Sequence, residues 1–258
     1  MKRHPVLSSI LLLGLAVGLF FWTQPAVSQP SAATPAAVTP PLPVSAEPQY
    51  GTCVASADGI GKTYQGREIA QVMGHPGIGW LERTEREKEE APSKAIAALK
   101  LAPDAVIADV GAGSGYYTFR LAPLVPQGRV VAIDIQPEML DYMKEEMKAL
   151  GGKNVEPHLS TVVDLKLPEA SLDAVLMVDA YHEFDHPAEM LASMKSALKK
   201  GGRIYLLEFR AEDPKVPIKP HHKMTEAQAR KELESAGFRF VENRPDLPWQ
   251  HLLVFEKP

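Results

Sequence analysis

The sequence predicts an α/β fold: a doubly wound, Rossmann-like seven-stranded sheet with an antiparallel last strand and helices on both faces. Three observations carry this. From Ala105 onward, short apolar runs alternate with segments of helical periodicity, the pattern of successive β–α steps. The first apolar run leads straight into a glycine-rich loop followed by a helical segment. The chain ends in two strand-like runs whose linker is too short for a crossover helix, which implies antiparallel pairing.

Taken in order, Ala105–Val110 is short and apolar, as a strand buried on both faces must be. Tyr116–Leu124 reads as helix and Arg129–Asp134 as the second strand. Gln136-Pro137-Glu138 opens a helix to Leu150, with Pro137 in the first turn and Gly151-Gly152 as the stop. Val155–Leu159 and Asp173–Asp179 are the third and fourth strands. Pro187–Leu198 is a helix, and Lys199-Lys200-Gly201-Gly202 places cations and glycine at its C-terminus. Arg203–Phe209 is the fifth strand. Thr225–Ser235 is a helix capped by Thr225 and stopped by Gly237. Phe238–Asn243 and Trp249–Glu256 form the terminal pair.

The region before the sheet divides further. Lys2-Arg3-His4 precedes an uncharged apolar stretch from Val6 to Trp22, and Ala26-Val27-Ser28 offers small residues for cleavage. Residues 1–28 therefore read as a secretory signal peptide, with an uncleaved membrane anchor as the close alternative. Either places the body on the non-cytoplasmic side, periplasmic or otherwise extracytoplasmic. Seven of the 23 prolines lie between Pro25 and Pro48, so residues 29–57 read as a disordered Pro/Ala-rich tether. Residues 58–100 read as a helical cap on a domain spanning 101–258. The charged run Glu82–Glu90 reads as a solvated helix face.

Composition excludes several classes. Cys53 is the lone cysteine, so neither an intramolecular disulfide nor a multi-thiolate zinc site is possible. The net charge of −4, with no basic face, speaks against nucleic acid.

The chemistry lies at the strand ends. The loop Asp109-Val110-Gly111-Ala112-Gly113-Ser114-Gly115 lacks the third glycine of the dinucleotide fingerprint, since that position is Tyr116. No cation near it would neutralise a pyrophosphate, whereas Asp109 suits a ligand with an ammonium group. Asp134 ends the second strand, where such folds place a carboxylate against both ribose hydroxyls. Together these features fit a nucleoside that is cationic rather than phosphorylated.

The stretches "VIADVGAGSG", "VVAIDIQPEML", "LPEASLDAVLMVDAYHEF" and "LKKGGRIYLLEF" resemble the class I S-adenosylmethionine-dependent methyltransferases over about residues 64 to 256. The likeness runs toward the branch of ubiquinone/menaquinone-biosynthesis and related small-molecule methyltransferases. It implies S-adenosyl-L-methionine as cofactor. Asp109, Gly111, Ala112, Gly113 and Gly115 would hold the methionine part, Asp134 the ribose, and Ile135 the adenine face. Thr161 stands where many relatives carry an acid, so adenine recognition falls to the Val162 backbone or Asp164.

The loop Asp179-Ala180-Tyr181-His182-Glu183 follows the fourth strand and should face the transferred methyl group. His182 is the candidate general base, Glu183 its orienter or a substrate ligand, and Asp179 borders both cofactor and acceptor. The alternative is that His182 and Glu183 only brace the loop. His182–His186 also spells H-E-x-x-H, but Asp185 and Pro187 read as the start of the next helix, so the two histidines do not share one. Arg210–Lys223, with three prolines, reads as a lid carrying His221 and His222. These could reach substrate or, as the weaker idea, join His182 around a metal. No metal is expected from the spacing. Tyr64, Arg67 and Trp80 are the candidate substrate contacts before the sheet. The reading is a methyltransferase for a small-molecule acceptor. A non-catalytic exported binding module on the same fold is the alternative, and a zinc hydrolase a distant third.

Overall fold

A computed structural model describes residues 50–258. The signal, anchor and most of the tether lie outside these residues. Among the described residues, no helix is long and apolar enough to cross a membrane.

The described chain opens with three short strands, β1 (Tyr50–Thr52), β2 (Gly59–Tyr64) and β3 (Arg67–Ala70), in an antiparallel sheet of order β1-β2-β3. Gln65 and Gly66 connect β2 to β3 with both φ angles positive, 49° and 92°, the backbone of a two-residue hairpin turn. This corrects two expectations. The tether does not extend to residue 57, because Tyr50–Thr52 pairs with β2. The segment 58–100 is not a helical cap throughout, because the chain alternates as strands until Ala70. Its helices come later: α1 (Ile78–Leu81), α2 (Arg86–Glu90) and α3 (Pro92–Leu99).

The main sheet is built from β4 (Val106–Val110), β5 (Arg129–Asp134), β6 (Val155–Leu159), β7 (Leu172–Val178), β8 (Leu198–Phe209), β9 (Arg239–Arg244) and β10 (Gln250–Glu256). Their order is β6-β5-β4-β7-β8-β10-β9, with β10 antiparallel to both its neighbours. Between them run α4 (Tyr116–Leu121), α5 (Pro137–Leu150), α6 (Pro187–Ala197) and α7 (Glu226–Ser235). The seven-stranded expectation and its single reversed strand hold.

Alternation along the strands sends successive residues to opposite faces, and both faces are apolar. Ile107, Val130, Leu176 and Leu207 join α3, α4 and α5 in one core layer. Ala108, Val131, Met177 and Leu206 join α6 and α7 in the other. The helices begin and end where the sequence says: Pro137 and Pro187 occupy first turns, Gly151 closes α5 at φ 74°, and Thr225 Oγ1 accepts the Gln228 amide at 3.1 Å.

One boundary differs. Lys199–Gly202 does not terminate a helix but forms the entry of β8, with Leu198 paired to Leu172 and a register shift before Ala174. Gly201, at φ 75°, donates to the Lys257 carbonyl, and the Lys257 amide donates to Gly202. The ladder with the C-terminal strand extends the sheet past the point where helix chemistry alone would have stopped it.

Candidate active site

The strand order reverses between β4 and β7, and in open α/β sheets the crevice at the carboxyl ends of such a pair receives ligand. A cleft of about 800 Å³ opens there. The glycine loop forms its floor. Gly111 sits at φ 77°, and a Cβ there would lie 2.6 Å from the Ala180 Cβ, so only glycine lets β4 and β7 deliver their loops side by side. The amides of Gly111 and Ala112 both donate to the Ile133 carbonyl at 2.9 Å, and the Gly113 amide donates to Asp134 Oδ2 at 2.9 Å.

Asp134 therefore does two things. Its carboxylate bridges the glycine loop and the start of α5, where Oδ1 accepts the Gln136 amide at 2.9 Å, while the residue borders the cleft. Burial pushes its carboxyl above the usual range against those backbone donors. Ile135 and Val162 also border the cleft, and at 39% and 41% exposure they are large apolar side chains left uncovered there. Ser160 and Thr161 continue that wall. Asp164 is turned away, accepting from Ser193 Oγ at 2.7 Å.

Asp109 is not on the cleft wall. It is 2% exposed behind the loop, accepting from Thr118 Oγ1 at 2.6 Å. Ala112 and Gly115 are likewise behind the lining, with Gly115 starting α4 at φ 84°. Burial raises the Asp109 carboxyl to about 6, opposed by the Thr118 hydroxyl and the Arg86 charge and reinforced by Asp134. Because this lies above the ordinary value, the folded chain holds the proton more tightly than the unfolded one between about pH 4 and 6, and stability falls as pH rises through that window. Asp109→Asn is expected to flatten the fall, worth about 3 kcal/mol for a shift of about two units. Urea midpoints measured from pH 4 to 7 check this, and an unchanged slope would reject it.

Asp179 follows β7 in left-handed backbone, φ 48°. Its Oδ2 accepts from Gln250 Nε2 at 2.7 Å, while its buried Oδ1 has no partner among the described residues. Burial, with Glu90 and Glu208 adding their charge, pushes its carboxyl well above the usual range. A strained, half-satisfied acid bordering a cleft is the arrangement functional sites tolerate.

Next along the loop, Tyr181–Glu183 forms a single 3-10 turn. His182 is 1% exposed, and its Nδ1 lies 2.7 Å from Oε2 of Glu208, itself fully buried in β8. Burial opposes the imidazolium, but the Glu208 carboxylate outweighs it and holds His182 above its ordinary value. His182 Nε2 meets His222 Nδ1 at 3.1 Å, and Glu183 Oε1 lies 3.4 Å from the same His222 nitrogen. The Arg210–Lys223 segment thus does reach the cleft, through Pro217, Ile218, Lys219 and His222.

Other candidates move away from the cleft. Tyr181 is fully buried and Tyr64 is 3% exposed, both packed behind the wall. Arg67 makes a two-pronged pair with Glu232, at 2.8 and 3.0 Å, and donates to the His182 carbonyl at 3.0 Å, so it braces the loop from behind. His221 faces Glu68 Oε2 at 2.9 Å and Ser56 Oγ at 3.1 Å. Trp80 does border the cleft, with the Arg83 guanidinium 3.7 Å from its ring centroid. His186 precedes α6 and does not join His182, as the H-E-x-x-H reading anticipated.

The solvated-face reading of Glu82–Glu90 holds for Glu82, Glu85, Glu87 and Lys88, which are exposed, and fails for Arg86 and Glu90. Arg86 and Glu90 are 4% and 1% exposed and border the cleft, with Arg86 Nε 2.7 Å from Glu90 Oε2. The Arg86 guanidinium stacks 4.3 Å from the Tyr116 ring and sends its charge toward Asp179 and Asp109. Arg86, Glu90, Glu208 and Gln250 are the site residues that the sequence reading missed.

A sheet of this order, with a glycine loop, a strand-two acid and apolar jaws at its switch point, defines a class I S-adenosylmethionine-dependent methyltransferase fold. The methyltransferase domain family model matches residues 101–243, and the chain belongs to that family. An uncharacterized methyltransferase of Mycobacterium tuberculosis is 36% identical over 124 residues, covering 48% of this chain and 47% of the relative. A demethylmenaquinone methyltransferase of Deinococcus radiodurans is 34% identical over 117 residues, covering 45% and 47%. The chain thus spans about half the length of the curated relatives it matches. The crystal structure of a SAM-dependent methyltransferase from Aquifex aeolicus superposes with a TM-score of 0.69 at 26% identity, over 72% of this chain and all of that one.

The residues present fit the cofactor this family uses. Ile135 and Val162 leave apolar surface for a planar base, Asp134 keeps acceptor capacity beside them, and the orphaned Asp179 Oδ1 awaits a donor.

Proposed function

We propose that this protein is an S-adenosylmethionine-dependent methyltransferase acting on a small-molecule acceptor. The observation that carries the reading is the register at the switch point: Asp134, Gly111, Gly113, Asp179 and the Ile135/Val162 pair all border one cleft of about 800 Å³. That volume is in the range of small-molecule sites. Asp134 would hold the ribose, and Ile135 and Val162 would pack on adenine. Asp179, with the Arg86 charge behind it, would meet the methionine end. Bound there, the cofactor supplies an electrophilic methyl group.

The chain's own work is positioning. A displacement at carbon gains most from holding the nucleophile in line and excluding water. The Pro217–Lys219 stretch and Trp80 enclose the cleft opposite the sheet. His182, fixed by Glu208, and Glu183, fixed by the Met73 amide at 3.2 Å, present polar atoms to the acceptor. The likeness to a demethylmenaquinone methyltransferase supports a small, partly apolar acceptor.

His182→Ala is expected to slow turnover at least about 100-fold, the usual worth of a placed acid–base group, while S-adenosylhomocysteine affinity stays within a factor of two or so. The check is a transfer screen with labelled cofactor against native extract, followed by calorimetry on the variant. Equal turnover would demote His182 to a brace.

Residues 1–28 supply export or a membrane anchor in this proposal, and residues 29–49 the tether. The support is the basic start, the apolar stretch and the proline-rich composition. Fractionation of cells expressing the full chain tests it, and a cytoplasmic product would reject it.

A further inference from the structure

We propose that His182, Glu183 and His222 form a binding site for one divalent transition metal ion of the zinc class. These three side chains can each offer a ligand atom to a common centre. His182 Nε2 and His222 Nδ1 are 3.1 Å apart, His182 Nε2 and Glu183 Oε1 3.7 Å, and His222 Nδ1 and Glu183 Oε1 3.4 Å. Zinc bonds to nitrogen and oxygen of about 2.0–2.2 Å, arranged tetrahedrally, place ligand atoms about 3.3–3.6 Å apart. The three edges of this triangle average about 3.4 Å, inside that range, and the 3.1 and 3.7 Å edges need shift only by about 0.1–0.2 Å to meet it.

Two further observations point the same way. The first is the support behind His182. Its other nitrogen, Nδ1, lies 2.7 Å from the fully buried Glu208, which also accepts the His182 amide at 3.2 Å. A carboxylate on the far nitrogen fixes the tautomer and the ring plane and makes the facing nitrogen a better donor, the usual support of a metal-bound histidine. The second is charge. Glu183 and Glu208 bring two carboxylates to the cluster. Arg67 pairs through both prongs with Glu232 and gives its remaining donor to the His182 carbonyl rather than to either carboxylate. Lys62 is held by Asp185 and Lys219 by Asp58. A dication at the triangle would face both carboxylates.

The ligands come from two places in the chain. His182 and Glu183 are neighbours in the turn after β7, and His222 arrives from the segment after β8. Metal binding would therefore tie that segment down over the cleft. With three protein ligands, all bordering the cleft, the ion keeps a position open for an oxygen donor of the small molecule, as catalytic rather than structural sites do. With the ion bound, His182 Nε2 is a ligand and no longer a free acid–base nitrogen, so the site goes beyond the methyl-transfer reading above and can be tested without it.

The experiment uses the full chain, freed of metal by chelator dialysis and titrated with cobalt(II) and with zinc. One equivalent of cobalt with the intense visible bands of tetrahedral coordination is expected. His222→Ala and Glu183→Gln are each expected to weaken the metal at least about 100-fold, and Glu208→Gln about 10–100-fold. S-adenosylhomocysteine binding, measured on the same samples, reports whether each variant is folded and keeps the cofactor half of the cleft. Stoichiometric uptake lost in these variants, with nucleoside binding kept, supports the site. No stoichiometric uptake by the parent chain, or undiminished affinity in folded His222→Ala, overturns it. Failure to bind S-adenosylhomocysteine with metal uptake intact would instead overturn the methyltransferase reading.

Discussion

Asp134→Ala is expected to lower cofactor affinity by more than about 100-fold while leaving a folded domain. The expectation follows from the two tasks of one carboxylate. It accepts the Gly113 and Gln136 amides, each at 2.9 Å, and so sets the distance between the glycine loop and the first turn of α5. It also borders the cleft with acceptor capacity to spare. A hydrogen bond to a charged group is worth about 1.5–3 kcal/mol, so the loss of two ribose contacts of the kind proposed would alone exceed a factor of 100. The freed amides add a smaller loss of stability, because each can turn toward water as the loop relaxes. Asp134→Asn separates these tasks: its one carbonyl oxygen can satisfy one amide but not both, so it should fall between parent and Ala. Calorimetric titration with S-adenosylhomocysteine, beside a thermal melt, measures both. Unchanged affinity in a folded Asp134→Ala chain would remove the site assignment.

How far the sequence foretold this site depends on what kind of signal each residue sends. Asp134 and the glycine loop are legible because they sit at strand ends, and strand ends can be read from apolar runs. The β2–β3 hairpin escapes a reading of residues 58–100 as a helical cap, although Tyr64-Gln65-Gly66-Arg67 makes a tight turn. Arg67 and Tyr64, expected as substrate contacts, lie behind the cleft wall instead. Only the hairpin's docking shows that Arg67 turns inward to Glu232. Glu208 did leave a trace: an acid within Leu206-Leu207-Glu208-Phe209, at the carboxyl end of a strand buried on both faces, must have a partner. His182 was the available one. Arg86 and Glu90 left no such trace. Charges at helical spacing look alike in water and in a buried pair, and α2 is only five residues long. Tertiary packing against Tyr116 decided it.

That hidden pair carries the largest expected effect on stability. Arg86→Met, which keeps the aliphatic bulk and removes the charge, is expected to cost about 3–5 kcal/mol, the range for breaking a buried ion pair by deleting one partner. The guanidinium bonds Glu90 at 2.7 Å and the Leu81 carbonyl at 3.0 Å, and its charge opposes the burial of Asp109 and Asp179. Arg83 remains bonded to Glu90, so the uncompensated charge falls mainly on the two aspartates. Their carboxyls already titrate above the ordinary range, Asp109 at about 6, and without Arg86 they would titrate higher still. A raised folded-state value means that the ionised form bears the cost, so stability is lost as pH rises and recovered as the acids take up protons. The deficit of Arg86→Met should therefore be greatest near pH 8 and shrink toward pH 5, the reverse of an ordinary acid-sensitive salt bridge. Urea denaturation of parent and variant at both pH values measures the difference directly. A deficit that stays constant with pH would mean that Arg86 acts through its stacking on Tyr116 and its bond to Leu81 alone, and that the aspartates bordering and backing the glycine loop do not feel its charge.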